Sequence, residues 1–235
     1  MLLPLAKVEA QSGPRIKVVL ISGEFEYSSR ETFPAWKAFL ERTYPIDCTY
    51  LERPAATNVQ SIAGLEALDR ADLAIIMIRR MVLPADQLNR FKAYLDSGRP
   101  LIGLRTASHS FENWREFDKE VLGGNYGNHY GNQFQPVISL VETGASHPIL
   151  KNVAGFVSKG SLYKNTPLAA SSVPLLSGKI ETAAAEPVAW THLYKQSRIF
   201  YTSLGHPDDF KENSFRQLLI NAIFWTLDKP VPAGG

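Results

Sequence analysis

Pro100-Leu101-Ile102-Gly103-Leu104-Arg105-Thr106-Ala107-Ser108-His109 decides how the rest of the chain is read. Leu101, Ile102 and Leu104 follow a proline and give way abruptly to Arg105, Thr106, Ser108 and His109. So short and continuous an apolar run fits a strand covered on both faces. In an open α/β sheet, ligands collect beyond the carboxyl ends of such strands. Arg105 to His109 are therefore expected at the mouth of a site; the plainer alternative is a strand exit with solvated polar residues.

Working upstream, Ile16 to Ile21 is a β-rich run closed by Ser22-Gly23. Its exit, Gly23 to Ser28, carries Glu24 and Glu26 and shares the sheet edge of Arg105 if the strands are parallel. Phe33, Trp36, Phe39 and Leu40 recur at helical spacing, with Pro34 suited to a first turn, and predict a helix over 31–43. Ile46 to Leu51 is a second strand, Ser61 to Leu68 a short helix, and Asp72 to Ile78 a third, wholly apolar strand. A helix beginning at Pro84 places Leu88, Phe91 and Leu95 on one face and stops at Gly98. Strand and helix alternate up to the opening stretch, which predicts an α/β fold: a mainly parallel central sheet with right-handed crossovers and helices on both faces.

Downstream the pattern loosens. Glu112 to Leu122 reads as helical, and Gly123 to Gly131 is too rich in glycine and asparagine for regular structure, so it is a mobile lid or a surface turn. Gln133 to Val141 is a strand and His147 to Leu150 a turn or extended piece. Phe156 to Lys164 and Pro174 to Ile180 are assigned to a small secondary β region. Glu186 to His192 and Arg198 to Ser203 pair through a turn, and a second polar strand exit follows at Leu204-Gly205-His206-Pro207-Asp208. Phe215, Leu218, Leu219, Ala222 and Ile223 mark a closing amphipathic helix that ends near Lys229-Pro230.

The chain has 235 residues, 45% of them hydrophobic, which suits one core over residues 16–230 preceded by a tail of residues 1–15. The net charge of +2 and the absence of a basic run argue against a nucleic-acid partner. No apolar segment approaches the roughly 20 residues of a membrane helix. A single cysteine, Cys48, forbids an internal disulfide and leaves the compartment undetermined. Val8 and Ala10 resemble a signal-cleavage pattern, yet the start is not basic and its apolar part is short, so the tail reads as frayed and the cytoplasm is favoured over export.

Both polar exits resemble the class I glutamine amidotransferase-like superfamily, whose fourth strand ends in a tight turn bearing a cysteine nucleophile and whose later strand exit bears a histidine followed by a carboxylate. His206 and Asp208 keep that spacing, and a carboxylate fixing the tautomer of a base is its physical purpose. Arg105, however, stands where the thiol would be. A guanidinium stays protonated and cannot attack a carbonyl, so glutamine hydrolysis by a thiolate is excluded. A closer resemblance, over residues 16–230, is to the ThuA-like, trehalose-utilisation family of that superfamily. It rests on Gly103-Leu-Arg-Thr-Ala-Ser-His109, Trp114, Leu122-Gly-Gly-Asn-Tyr-Gly-Asn-His129, His147-Pro-Ile149, Leu162-Tyr163, Pro187-Val-Ala-Trp-Thr191, Arg198-Ile-Phe-Tyr-Thr202, Gly205-His206 and Trp225. The chain departs from it twice: typical members have histidine at Arg105, and many have an acidic residue at Gly160-Ser161. The resemblance implies a flavodoxin-like sheet and a role in carbohydrate catabolism on disaccharides or their keto derivatives.

These readings nominate His206, His129 and Asp208 for catalysis, and Arg105, Thr106, His109, Trp114, Tyr163 and Glu24 for substrate binding. His206 and His129 would act as acid or base. Arg105 would orient the substrate or stabilise developing negative charge, or else pair with Glu24 or Glu26. Trp114 and Tyr163 would stack on a sugar ring or serve as packing. His109, His129 and His206, if they converge, would suit a divalent metal such as zinc, although no tight ligand motif is present. The expected partner is a small-molecule carbohydrate, with neither nucleic acid nor membrane, and a homo-oligomer is left open. A catalyst on a sugar or keto-sugar (hydrolase or isomerase) and a non-catalytic sugar-binding or regulatory module both fit.

Overall fold

The computed structural model describes residues 14–55 and 58–232; residues 1–13, nearly all of the expected tail, lie outside that range. The apolar runs form the strands they predict. Strand β1 is Ile16–Gly23, β2 Ile46–Glu52, β3 Leu73–Ile78 and β4 Leu101–Leu104. Every residue of β3 and β4 is buried, which is why neither shows the alternation of a half-exposed strand. Further along come β5 Asn128–His129, β6 Val137–Leu140, β7 Phe156–Val157 and β8 Tyr163–Lys164. The last three are β9 Val173–Lys179, β10 Glu186–Tyr194 and β11 Ser197–Thr202.

Nine strands join in the order β2-β1-β3-β4-β11-β10-β9-β6-β7. The first five are parallel, and from β10 outward each pairing is antiparallel. The β2-β1-β3-β4 order is that of flavodoxin-like sheets. Pro174 to Ile180 thus belongs to the central sheet as β9, and so does Phe156–Val157, as its edge strand β7; the separate second sheet is the two-residue pair β5–β8. Antiparallel extension needs only a hairpin at Lys195-Gln196, so β10 and β9 could be added without another crossover.

Three α-helices cover both faces: α1 Ser29–Thr43, α2 Ala85–Asp96 and α3 Asn213–Thr226. Alternate residues of β1 serve the two sides. Val18 and Leu20 pack with Phe33, Trp36 and Leu40 of α1 and Phe215, Leu218 and Leu219 of α3. Val19 and Ile21 pack with Leu88, Phe91 and Leu95 of α2. Gly98 takes φ +82° just beyond α2, as a helix stop requires.

Three local expectations shift. Helix α1 starts two residues early, with Pro34 inside it, because Glu24 and Ser22 fasten Ser29 before the proline is reached. The helix expected over Ser61 to Leu68 is a 3₁₀ segment at Leu65–Arg70. The helix expected over Glu112 to Leu122 contracts to a π-turn at Asp118–Leu122, with Phe111, Trp114 and Phe117 stacked into the core instead. No described helix is long and apolar enough to cross a membrane.

Candidate functional site

Because β1, β3, β4 and β11 are parallel, their carboxyl ends open on one edge of the sheet. There the loops after them, together with two distant loop segments, enclose a hollow of about 540 Å³. Tyr27 follows β1, Arg79 and Arg80 follow β3, Arg105 and His109 follow β4, and His206 follows β11; Tyr126, His129 and Asn132 come from the glycine-rich loop, and Lys159 to Tyr163 from the approach to β8. His109, His129 and His206, remote in sequence, line this one concavity.

Arg105 is its anchor. The residue has φ +45°, the left-handed backbone of a sharp strand-to-helix elbow. The hydroxyl of Tyr201 donates to its carbonyl oxygen at 2.7 Å and pins that turn. The side chain is 1% exposed. Its Nη1 donates to the carbonyl oxygens of Ser161 (3.1 Å) and Ser203 (2.6 Å), and its Nη2 to the hydroxyls of Ser161 (2.9 Å) and Tyr27 (3.3 Å). The rings of Tyr27 and Tyr163 lie 4.4 Å from the guanidinium carbon, a cation–π sandwich. Neither Glu24 nor Glu26 pairs with it. Only Nε lacks a partner, so Arg105 supplies positive potential rather than a two-pronged grip on a ligand. A Cβ on Gly160 would sit 2.9 Å from Nη1, so any side chain there would displace the guanidinium.

Two imidazoles show opposite faces. His129 Nδ1 lies 2.6 Å from the carbonyl oxygen of Tyr130. A carbonyl only accepts, so Nδ1 carries the proton and neutral His129 keeps its lone pair on Nε2. His206 Nδ1 instead accepts the backbone N–H of Asp208 at 3.2 Å, so neutral His206 carries its proton on Nε2. One ring therefore offers an acceptor, the other a donor.

His109 is different again. It stacks on Tyr126 (centroids 4.5 Å apart) and its Nδ1 meets the hydroxyl of Ser108 at 3.1 Å. Burial, reinforced by Arg79, Arg80 and Arg105, pushes its pKa down to about 3, so it stays neutral through the physiological range. Behind that stacked pair lies Asp118, whose carboxyl burial pushes up to about 7 while the backbone N–H of Tyr126 donates to it at 2.6 Å.

Several nominated residues take other work. Both oxygens of Glu24 are occupied by the backbone N–H groups of Glu26, Tyr27 and Ser29 at the start of α1, so it shapes a loop. The Asp208 carboxylate sits 3.6 Å from His206 Nδ1 and is paired with Lys211, which holds its pKa below the usual carboxylate range; the tautomer of His206 is set by the main chain of residue 208, not by its side chain. The buried acid of this exit is Asp209, which accepts from the N–H groups of Gly205 and His206 (2.9 and 3.0 Å) and from the hydroxyl of Ser158 (2.8 Å). Thr106 is fully buried, lies outside the hollow's lining and has no partner for its hydroxyl. Trp114 packs on Phe111 and Phe117 beneath Lys92, away from the hollow. Tyr163 lines the hollow, but it is 2% exposed and its ring already meets Arg105 and Tyr126, so it is wall rather than platform. The three imidazoles do not converge as ligands: among the described residues no group of three or more His, Cys, Asp or Glu is placed to hold a metal. Burial pushes the Cys48 thiol up to about 12, leaving no thiolate.

Sequence reasoning passed over Tyr27, Arg79, Arg80, Tyr126, Lys159 and Ser161. Arg79 and Arg80 were findable, since they follow β3 as Arg105 follows β4.

A family model described as ThuA, trehalose utilisation, matches residues 17–226. The chain belongs to the ThuA family. Among solved structures, a ThuA-like protein of Bacteroides uniformis is 19% identical, with a TM-score of 0.69 over 94% of this chain and 95% of that one. A ThuA-like protein of Parabacteroides merdae is 16% identical, with a TM-score of 0.74 over 93% and 92%. The β-galactosidase of Bacillus circulans sp. alkalophilus holds a similar fold in part of its length: 13% identity, TM-score 0.56, 92% of this chain and 32% of that one. At such identities the likeness is one of fold. The search of curated proteins returned no match. Within the ThuA pattern the two departures, Arg105 and Gly160-Ser161, touch each other.

Proposed function

We propose that this ThuA-family protein catalyses proton transfer beside the carbonyl of a small keto-sugar, interconverting keto isomers. The observation that carries this reading is the contrast between the Nδ1 partners of two imidazoles in one hollow, a carbonyl oxygen at His129 and a backbone N–H at His206, beside a buried guanidinium. His129 Nε2 takes the proton from the carbon next to the carbonyl, and the electron pair of the broken C–H bond becomes the double bond of an enediolate. Its Nδ1–H, held on the Tyr130 carbonyl, supports the imidazolium that forms. Neutral His206 donates Nε2–H to the carbonyl oxygen without surrendering the proton. Arg105 supplies the potential that favours negative charge on that oxygen. Delivery of a proton from the His129 imidazolium, which exchanges with solvent at this exposed position, to the former carbonyl carbon, with a proton passed from one oxygen to the other, yields the isomer. No external oxidant or reductant is needed.

Glycoside hydrolysis by paired carboxylates fits less well. Glu26 is the one carboxylate among the residues lining the hollow, and it is paired with Arg79 at 3.0 Å.

Incubation with keto-disaccharides in D₂O tests the proposal. Deuterium should enter at the carbon beside the carbonyl, and His129→Ala should slow its entry by about 10²-fold or more. A sugar that raises the melting temperature and is recovered without deuterium would make the protein a binding module.

A further inference from the structure

The charge lining the hollow is unbalanced. Arg79, Arg80, Arg105 and Lys159 face it, against the single carboxylate of Glu26. Only Arg79 has that carboxylate within ion-pair distance. Among the described residues, Arg80, Arg105 and Lys159 have no such partner; Lys159 donates to the side-chain carbonyl of Gln135 instead. The nearby buried acid, Asp209, has its oxygens committed to Ser158, Gly205 and His206. The Arg105 guanidinium is satisfied by four hydrogen bonds and two rings and feels the buried Asp209 charge, so the unmatched charge is that of Arg80 and Lys159 at the rim.

The four cations also divide by exposure. Arg105 is sealed in and offers potential. Arg80 and Lys159 are exposed at the rim with N–H groups to spare. Arg80 is placed deliberately: its backbone is left-handed (φ +46°) and its N–H is tied to the carbonyl oxygen of His109 at 2.8 Å. Transient charge on an enediolate calls for the buried cation near the reacting oxygen. It does not call for two further cations at the mouth, where they would meet a standing charge on the ligand.

We infer that the hollow takes an anionic carbohydrate, a keto-sugar bearing a carboxylate or phosphate, with Arg80 and Lys159 gripping the anionic group and Arg105 facing the reacting end. This rests on the carbohydrate reading above and narrows it. Rim contacts of this kind are charge-assisted hydrogen bonds, strong and salt-sensitive. They act on ground-state affinity, whereas stabilisation confined to an enediolate would leave the affinity for substrate untouched.

Calorimetric titration of the full chain with fructose, fructose-6-phosphate, fructuronate and inorganic phosphate tests it. Both sugar anions, or the one whose chemistry matches, should bind at least about tenfold more tightly than fructose, with an affinity that falls as salt rises; the stronger of the two tells phosphate from carboxylate. Arg80→Gln and Lys159→Gln, at exposed positions, should each cut the preference for the anion over fructose by about tenfold. Equal affinity for fructose and the anionic sugars overturns the inference while leaving the carbohydrate reading standing. Phosphate binding as tightly as fructose-6-phosphate, with no fructose binding, overturns both the inference and the carbohydrate reading and leaves a plain anion site. No binding by any probe, or a preference unmoved in both variants, overturns the inference.

Discussion

Two kinds of backbone meet in the hollow, and they hold their side chains by different means. On one wall, Arg79, Arg80, Arg105, His109 and His206 stand directly beyond strands whose residues are nearly all buried. On the other, Tyr126 to Asn132 and Lys159 to Tyr163 belong to loops whose regular structure is a two-residue strand pair. The strand-exit wall is fixed by the packed sheet behind it. The loop wall is fixed by what it touches in front, above all the Arg105 guanidinium bonded to Ser161 and sandwiched by Tyr163. Arg105 therefore joins the two walls, and the comparison shows how a side chain can substitute for secondary structure.

The sharpest way to break this joint is Arg105→Met. It removes the donors to two buried carbonyls and a buried hydroxyl, and should destabilise the protein by roughly 3–5 kcal/mol in denaturant titration. Arg105→Lys should restore only part of this, since an ammonium cannot span Ser161 and Ser203 as the fork does. If Arg105→Met unfolds as the native protein does, the loop wall is held by something else.

Next in size is the β11 exit. Asp209→Ala strips three donors of a buried acceptor and should cost roughly 2–3 kcal/mol. Asp208→Ala should leave the unfolding midpoint essentially unmoved, since its pair with Lys211 is solvent-exposed. The reverse order would restore the carboxylate two residues after His206 as the working acid.

A pH series probes the region behind the hollow. Burial lowers His109 from 6.5 to about 3, so the unfolded chain takes up a proton that the fold refuses, and stability is lost as pH falls through that window. Burial raises Asp118 from 3.8 to about 7, so the unfolded chain releases a proton that the fold retains, and stability is lost as pH rises through that window. Between pH 3.8 and 6.5 the two oppose and the native profile should be nearly flat. His109→Gln should expose a decline with rising pH, and Asp118→Asn a gain, each of up to about 1.4 kcal/mol per pH unit. Parallel profiles in all three proteins would contradict this burial-driven account.

The smallest effect is expected from Trp114→Phe, which should lower stability by about 1 kcal/mol and leave deuterium exchange unchanged. A loss of exchange would return Trp114 to the site.

The two walls also differ in how far the sequence disclosed them. Leu101 to Leu104 and Leu73 to Ile78 announce buried strands, and the rule that ligands gather beyond such strands leads directly to Arg105 and His206. Applied to β3, it leads to Arg79 and Arg80 as well. The loop wall has no such signal. Gly123 to Gly131 lacks periodicity, and its course depends on Tyr163 and Lys164, more than thirty residues away. His129 could be nominated but not oriented, because the carbonyl of Tyr130 that sets its tautomer is a matter of backbone path. Asp208 and Asp209 are adjacent identical residues, and only burial separates the structural acid from the solvated one. Pro174 to Ile180 was legible as a strand, while its place in the central sheet was not, because alternation along a strand does not name its neighbour.

The chemistry proposed for the hollow turns on two imidazoles that present opposite ring nitrogens. Long-range ¹H–¹⁵N correlation spectra of the histidine side chains, recorded with the rings neutral, measure this directly. His129 should carry its proton on Nδ1 and His206 on Nε2, with the His206 assignment unchanged in Asp208→Ala. Finding the same tautomer at both positions would contradict it.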